Sequence, residues 1–578
     1  MKHKNTARQF TFLLSILFLA GCGEQTAEPN NPAATTESSP EFQELGFAQL
    51  TASASEVITT NFLRDVITEI ASDRYEGRGP ASPGDAMTQD YLEQALRDIG
   101  FAPGNGNGGY RQPFDLIGLI AEQPPEWTFN AGDRFLRLQQ NDDFIASSGV
   151  QASEARVTNA EVVFVGYGIQ APEYDWDDFK GMDVSGKVLL MLNNDPDRDP
   201  EFFEGNTRLY YGRWDYKYFS AAAQGAAGAI IIHTAPSAGY PFQVVQTSWT
   251  GEQFELPAGD EPRSQISTWV TEDAARDLVA MADLELDALI EQAQSQDFEP
   301  VPLGVTTSIT LPVSMTSKSS ANIIGILEGS DPDLRDEAVI LTAHHDHIGM
   351  AEPGDDPDAD LIYNGALDNA TGVASVLGIA KAFAALEQAP RRSIIINFVG
   401  AEEQGLLGSQ YYANNPTLPP GKMAANINLD GGSIWGRTRD MSYIGYGKST
   451  LDAVVEAVAD FQDRTVTPDQ FPDRGYFYRS DQFNFARIGV PATFLEGGTN
   501  VIGQPEGWGE EQANYFIDVN YHQPSDEIQD DWNFEGTVED AIFNFMVAYR
   551  VANADEMPSW NPGDEFEAAR LRSLQEVE

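Results

Sequence analysis

Three of the chain's six histidines fall within four positions, His344, His345 and His347, with Asp346 among them. They directly follow an apolar run at 337–342 whose length suits a β-strand. Acidic residues recur in equivalent places. Asp368 precedes a long apolar segment, Glu402 and Glu403 follow the run 393–399, and Asp430 follows 424–429. His522 stands apart, in the loop 520–526. Imidazole and carboxylate are good ligands for zinc, and a set without cysteine suits a catalytic rather than a structural ion. A single His or Asp at a strand end is more often a loop cap or a solvated group, and Glu402-Glu403 alone reads equally as an acidic surface turn. Five such positions at strand ends favour a metal site.

The elements needed to gather these residues are legible around them. After residue 300 apolar runs of strand length alternate with longer segments, and 369–386 is apolar nearly all round, as in a buried helix. This pattern predicts an α/β fold, a mixed and mostly parallel sheet sandwiched by helices. In such sheets ligands bind beyond the carboxyl ends of the strands, which is where the candidate ligands lie. Helical periodicity at 57–71 and 86–99, the second ending at Gly100, adds N-terminal helices. Between 155 and 300 the texture changes to short β-rich runs (161–165, 187–192, 229–232) with an Ala-rich helix at 220–227. That block holds one histidine, His233, and no ligand-spaced cluster, so it reads as a binding or covering module.

Ordered motifs then carry a family resemblance. His344-x-Asp346, the run 364–373 (NGALDNATGV), the run 401–409 (AEEQGLLGS), Asn428-Leu429-Asp430 and Tyr521-His522-x-x-x-Asp526 resemble the core of the two-zinc aminopeptidases, peptidase family M28. Glu76-Gly77-Arg78 and Ser82-Pro83-Gly84 look like that family's opening segment. Val165-Gly166-Tyr167-Gly168 and the helix before 228–232 look like a protease-associated domain. The resemblance implies two zinc ions as cofactors: His344 and Asp430 on one, Glu403 and His522 on the other, Asp368 bridging both. It makes Glu402 the general base and Asp346 the partner that accepts a hydrogen bond from His344. His345 and His347 are expected to point away, by alternation along an extended segment. Ser480-Asp481-Gln482 departs from the pattern, since many relatives carry His at the last position.

The implied reaction is removal of N-terminal residues from peptide substrates, through a water shared by two metals and deprotonated by Glu402. Tyr478 and Tyr521 are candidates to stabilise the oxyanion, with packing as the alternative. Arg213 and Arg479 are candidates to bind substrate, with surface ion pairs as the alternative. Three rival readings remain: a carboxypeptidase of the same architecture, a glutaminyl cyclase-like single-zinc transferase, and a non-catalytic receptor-like binding protein.

Composition bounds these readings. Hydrophobic residues make up 42% and aromatics 11% of 578 residues, enough for real cores. The balance of 89 acidic residues against 35 basic ones, a formal charge of −54, excludes nucleic acid as a partner. At the N-terminus, Lys2, Lys4 and Arg8 precede an apolar stretch that ends at Leu19-Ala20-Gly21-Cys22, and Cys22 is the only cysteine. This looks like a bacterial lipoprotein signal, with Cys22 lipidated, Gly23 favouring the outer membrane, and the enzyme facing the periplasm. The expected organisation is a signal peptide (1–22), a flexible tether (23–45), the first part of the peptidase domain (46–150), the inserted domain (151–300), the catalytic part (301–555) and a frayed tail (556–578).

Overall fold

The computed structural model describes residues 40–577 apart from 201 and 355. The expected export signal, with Cys22 and Gly23, lies outside the described residues, as does the tether up to residue 39. Residues 40–45, expected as tether, belong to the helix Pro40–Val57.

The main sheet is mixed, with four parallel strands at its centre in the order Ser393–Val399, Ala338–His344, Met423–Asn428 and Ala492–Gly497. The first three are buried along their whole length, the continuous apolar signature of strands covered on both faces. Antiparallel strands flank them: Asp440–Ile444 beside Ala492–Gly497, and the C-terminal part of Val301–Leu327 beside Ser393–Val399. Helices cover both faces. Thr371–Ala384 is buried on nearly all sides, as its composition predicts, and Phe383 meets Phe545 of Glu535–Asn553 with ring centroids 4.8 Å apart. Pro83–Ile99 starts on the Ser82 hydroxyl, which accepts from Asp85 N at 3.2 Å, and stops at Gly100, where φ is 106°.

A second sheet is inserted. It runs from the hairpin Glu126–Ala131/Arg134–Gln139 through the first part of Val301–Leu327, then Glu154–Phe164, Val188–Leu192 and Gly228–His233, to Ile266–Thr271 and Phe144–Ser148. The block therefore begins near residue 126, not at 151. Strands 126–148, assigned from sequence to the peptidase domain, pair within the insert. The two sheets share one strand: Val301–Leu327 pairs Glu154–Phe164 in its first part and Arg111–Ala121 in its second. The tail expected to fray is docked. Trp560 is buried with its indole N–H on Gly489 O, and Arg570 donates to Pro420 O and Met423 O. Among the described residues no helix is long and apolar enough to cross a membrane.

Candidate metal centre

The carboxyl ends of the parallel strands deliver the candidate ligands to one place. His344 ends its strand, Glu402 and Glu403 follow Ser393–Val399 in a turn with positive φ at Ala401 and Leu406, and Asp430 follows Met423–Asn428. Asp368 precedes the buried helix Thr371–Ala384. Its two carboxylate oxygens face different histidines: Oδ1 lies 3.3 Å from His344 Nε2 and Oδ2 lies 3.4 Å from His522 Nε2. His344 Nε2 is also 3.1 Å from Asp430 Oδ1, and His522 Nε2 is 3.0 Å from Glu403 Oε2.

These separations fit cation binding. Ligand atoms on a four-coordinate cation with bonds of ~2.0–2.1 Å stand about 3.3 Å apart. Donor atoms of His344, Asp368 and Glu403 lie within 4.8 Å of one another, and buried His522 Nε2 makes no well-aligned hydrogen bond. The electrostatics agree. Burial disfavours charge on His344 and His522, yet Asp430 and Glu402 hold His344 well above its ordinary value, and Glu403 with Asp368 raises His522 to about 9. Burial and Asp368 push Glu403 upward, but His522 and His347 bring it down to about 2. Asp368, despite burial, sits well below the usual carboxylate range because both histidines lie against its oxygens. The imidazolium protons stand where a cation's charge belongs.

Glu402 differs from its neighbours. Burial, with Glu403 and Asp430 adding to it, raises its carboxyl well above the usual range. Its place is fixed by Asp346, whose Oδ1 accepts from Glu402 N at 3.0 Å and whose Oδ2 accepts from Glu403 N at 3.3 Å. Asp346 thus holds the backbone of the Glu402-Glu403 turn. The hydrogen bond expected from His344 to the Asp346 carboxylate is not the one formed: His344 Nδ1 is 3.2 Å from the Asp346 main-chain carbonyl, and 3.9 Å from Oδ1.

Other expectations are corrected. His347 does not point away, because the chain leaves extended geometry after His344: its Nδ1 lies 2.6 Å from Glu403 Oε1. His345 does turn from the ligands, to Asp85 Oδ1 at 3.0 Å. Tyr478 is a packing residue, buried against Phe477 and Phe483, with its hydroxyl donating to Glu565 at 2.6 Å. Tyr521 lies in the site, its ring 3.9 Å from that of His522. Arg213 and Arg479 are not surface ion pairs. Both line a recess of about 80 Å³ together with Glu402, Glu403 and His522. Gln482 ties its own loop, donating to Tyr476 O and Phe477 O while accepting from Asn428.

The sequence reading passed over several contributors. Asp526 accepts from Leu367 N and Asp368 N, holding the loop that carries Asp368. Arg78 is 1% exposed and donates to four carbonyls, those of Ile70, His345, Asn364 and Gly365. Both stood inside quoted motifs without a role. Glu496, at the end of Ala492–Gly497, was reachable by the strand-end rule that found Asp430. Ser248 of the insert, whose Oγ lies 2.7 Å from His522 Nδ1, had no sequence signal.

Residues 322–546, which contain every one of these candidate ligands, match the model of peptidase family M28. Leupeptin-inactivating enzyme 1 of Streptomyces exfoliatus is 27% identical over 229 residues, 37% of this chain and 50% of that protein. A probable zinc metalloprotease of Pyrenophora tritici-repentis (strain Pt-1C-BFP) is 36% identical over 132 residues, 22% of this chain and 26% of that one. The chain spans half or less of the length of the curated relatives it matches. Among solved structures, the aminopeptidase from Aneurinibacillus sp. strain AM-1 shares the fold, with a TM-score of 0.51 and 18% identity over 89% of this chain and 97% of that one.

Proposed function

We propose that the chain is a zinc-dependent exopeptidase that removes N-terminal residues from peptides. His344 and Asp430 hold one ion, Glu403 and His522 a second, and Asp368 both. The observation that carries this reading is the arrangement of Asp368 with each carboxylate oxygen facing a different histidine, beside Glu402. When bound, zinc lowers the pKa of water and polarises the scissile carbonyl. Glu402 accepts the proton of the attacking water and returns it to the departing amine, a task suited to a carboxyl whose proton affinity is raised. Asp346 keeps Glu402 aimed, and Tyr521, whose ring lies against His522, is the candidate to donate to the oxyanion.

Glu402→Gln tests the assignment. The variant is expected to retain its metal and lose at least ~10²-fold in kcat. Near-normal turnover in a fully metallated variant would remove Glu402 from the role of base. A carboxypeptidase reading has one observation in its favour: Arg213 and Arg479 line the cleft beside Glu402. The inserted block reads as a protease-associated domain.

We also propose that the enzyme sits in the cell envelope, anchored through lipid on Cys22 at the outer membrane and facing the periplasm. Cys22→Ser, if processed, is expected to leave the membrane fraction on cell fractionation. Retention there would remove the anchor.

A further inference from the structure

Two recesses share Glu402 and Arg479 in their walls, Glu496 lining the larger alone and Arg213 the smaller alone. The larger, about 200 Å³, is lined by Asp368, Glu402 and Asp430, by Arg474 and Arg479, and by aromatic rings that include Phe471. Glu496 also lines it, half-buried, and among the described residues its carboxylate forms neither an ion pair nor a hydrogen bond. A methyl group placed on Gly431, next to Asp430, would stand 4.0 Å from Glu496 Oε2, so this carboxylate lies close to the ligands. The smaller recess, about 80 Å³, lies toward Glu403 and His522. Arg479 reaches it over the ring of Tyr240, with its nearest polar partners the Tyr521 hydroxyl at 3.4 Å and Arg474 O at 3.5 Å, and it pairs with no carboxylate. Arg213, 7% exposed, lies 3.3 Å from Asp215 through Nη1 while its buried Nε has no partner.

Buried charge without a partner is costly, and a ligand of opposite charge relieves it. The unpartnered Glu496 carboxyl of the larger recess calls for an ammonium, and the guanidinium N–H groups of Arg213 and Arg479, which meet in the smaller one, call for a carboxylate. Because the guanidinia line the same small recess as Glu402, Glu403 and His522, a carboxylate that reaches them lies within a residue of the bond Glu402 serves.

We propose that the cleft reads both ends of its substrate, so that the preferred class is the dipeptide with free amino and carboxyl termini. Glu496 receives the α-ammonium, and Arg213 with Arg479 receives the α-carboxylate. This rests on the exopeptidase reading and narrows it. The reaction is hydrolysis: the C–N bond breaks, water's oxygen joins the carbonyl carbon, its protons go to the amine, and two free amino acids leave.

The test uses the metal-loaded full chain and four alanine substrates: Ala-Ala, its N-acetyl form, its C-terminal amide, and Ala-Ala-Ala. Ala-Ala is expected to exceed each of the others in kcat/KM by roughly 100-fold, the cost of leaving one partner of a buried charge pair alone. Arg479→Ala is expected to erase the preference for the free acid over the amide, and Glu496→Gln the preference for the free amine over the acetylated form. Because the comparison among substrates needs no variant, misfolding does not blur it. Calorimetric binding of the reduced-amide analogue of Ala-Ala, and its weakening in the C-terminal amide, reads the same recognition without turnover. Cleavage of the amide or the tripeptide as fast as Ala-Ala overturns the inference and leaves the exopeptidase standing. Failure to cleave any of the four, with no binding of the analogue, overturns both.

Discussion

At the scale of single residues the centre is a set of charges held together before any cation arrives. His344 and His522 are lifted above the ordinary histidine range, while Asp368 and Glu403 are held below the carboxylate range. A bound cation must displace the imidazolium protons, so zinc added to the metal-free protein at neutral pH is expected to release protons. Calorimetric titration in buffers of different ionisation heat measures this directly, and a binding enthalpy independent of buffer would contradict the charge assignment. Asp346 is the second residue-scale case. It accepts two backbone N–H groups of the Glu402-Glu403 turn, and Asn at this position offers one acceptor oxygen in place of two. Asp346→Asn is expected to lower kcat/KM or zinc affinity by roughly 10–100-fold, the usual cost of losing an outer partner of a metal site. Unchanged kinetics and zinc retention in this variant would mean that the turn holds its shape without Asp346.

At the scale of elements, loops from distant parts of the chain meet at the strand ends and must be tied. Arg78 does this for three of them, joining the end of Thr60–Ile70 to the loops after His344 and before Asp368 through four carbonyls. Arg78→Ala removes the donor from the carbonyls of Ile70, His345 and Asn364, while Gly365 O keeps Ala370 N at 3.3 Å, and is expected to cost about 3 kcal/mol or more, seen as a fall in the denaturant midpoint. Stability within experimental error of the parent would show the loops to be held otherwise. This network also explains what could be seen in the sequence. The central strands and Thr371–Ala384 were legible because they are continuous apolar runs, and Asp430 and Glu403 because they directly follow such runs. The strand Val301–Leu327 was not legible: its outward positions are polar, it changes sheet midway, and only its partners define it. His347 was misjudged because strand alternation was carried past the end of the strand. For Tyr478 the sequence left the oxyanion role and packing open, because a tyrosine near a motif gives no hint of burial; its hydroxyl is taken by Glu565, 87 positions along the chain.

At the scale of the whole molecule, the insert is coupled to the metal centre and not merely attached to it. The shared strand fixes its orientation, and Ser248 touches a candidate ligand, its Oγ 2.7 Å from His522 Nδ1. Ser248→Ala is expected to weaken zinc binding roughly 10–100-fold in chelator competition, with equal affinity in both proteins contradicting the coupling. The insert also carries a pH sensitivity of its own. His233 ends the strand Gly228–His233, 5% exposed, among the rings of Tyr240, Phe242 and Trp269, and its Nε2 has no hydrogen-bond partner. Burial lowers it from 6.5 to about 4, with backbone contacts at Tyr240 and His233 only partly offsetting the loss of solvent. The folded-state value lies below the unfolded one, so between pH 6.5 and 4 the unfolded chain binds a proton that the folded chain refuses. The stability His233 contributes as a neutral ring is therefore complete above about pH 6.5 and falls as pH falls, by about 2 kcal/mol at pH 5 and about 3 kcal/mol below pH 4. His233→Phe removes the titration and keeps an apolar ring in the pocket. The metal centre titrates alike in both proteins, so the difference between them isolates this group. Denaturant unfolding at pH 7.5 and pH 5 is expected to show the parent losing about 2 kcal/mol more than the variant. Parallel losses in the two proteins would mean that His233 is protonated in the folded state, and that its aromatic cage admits water.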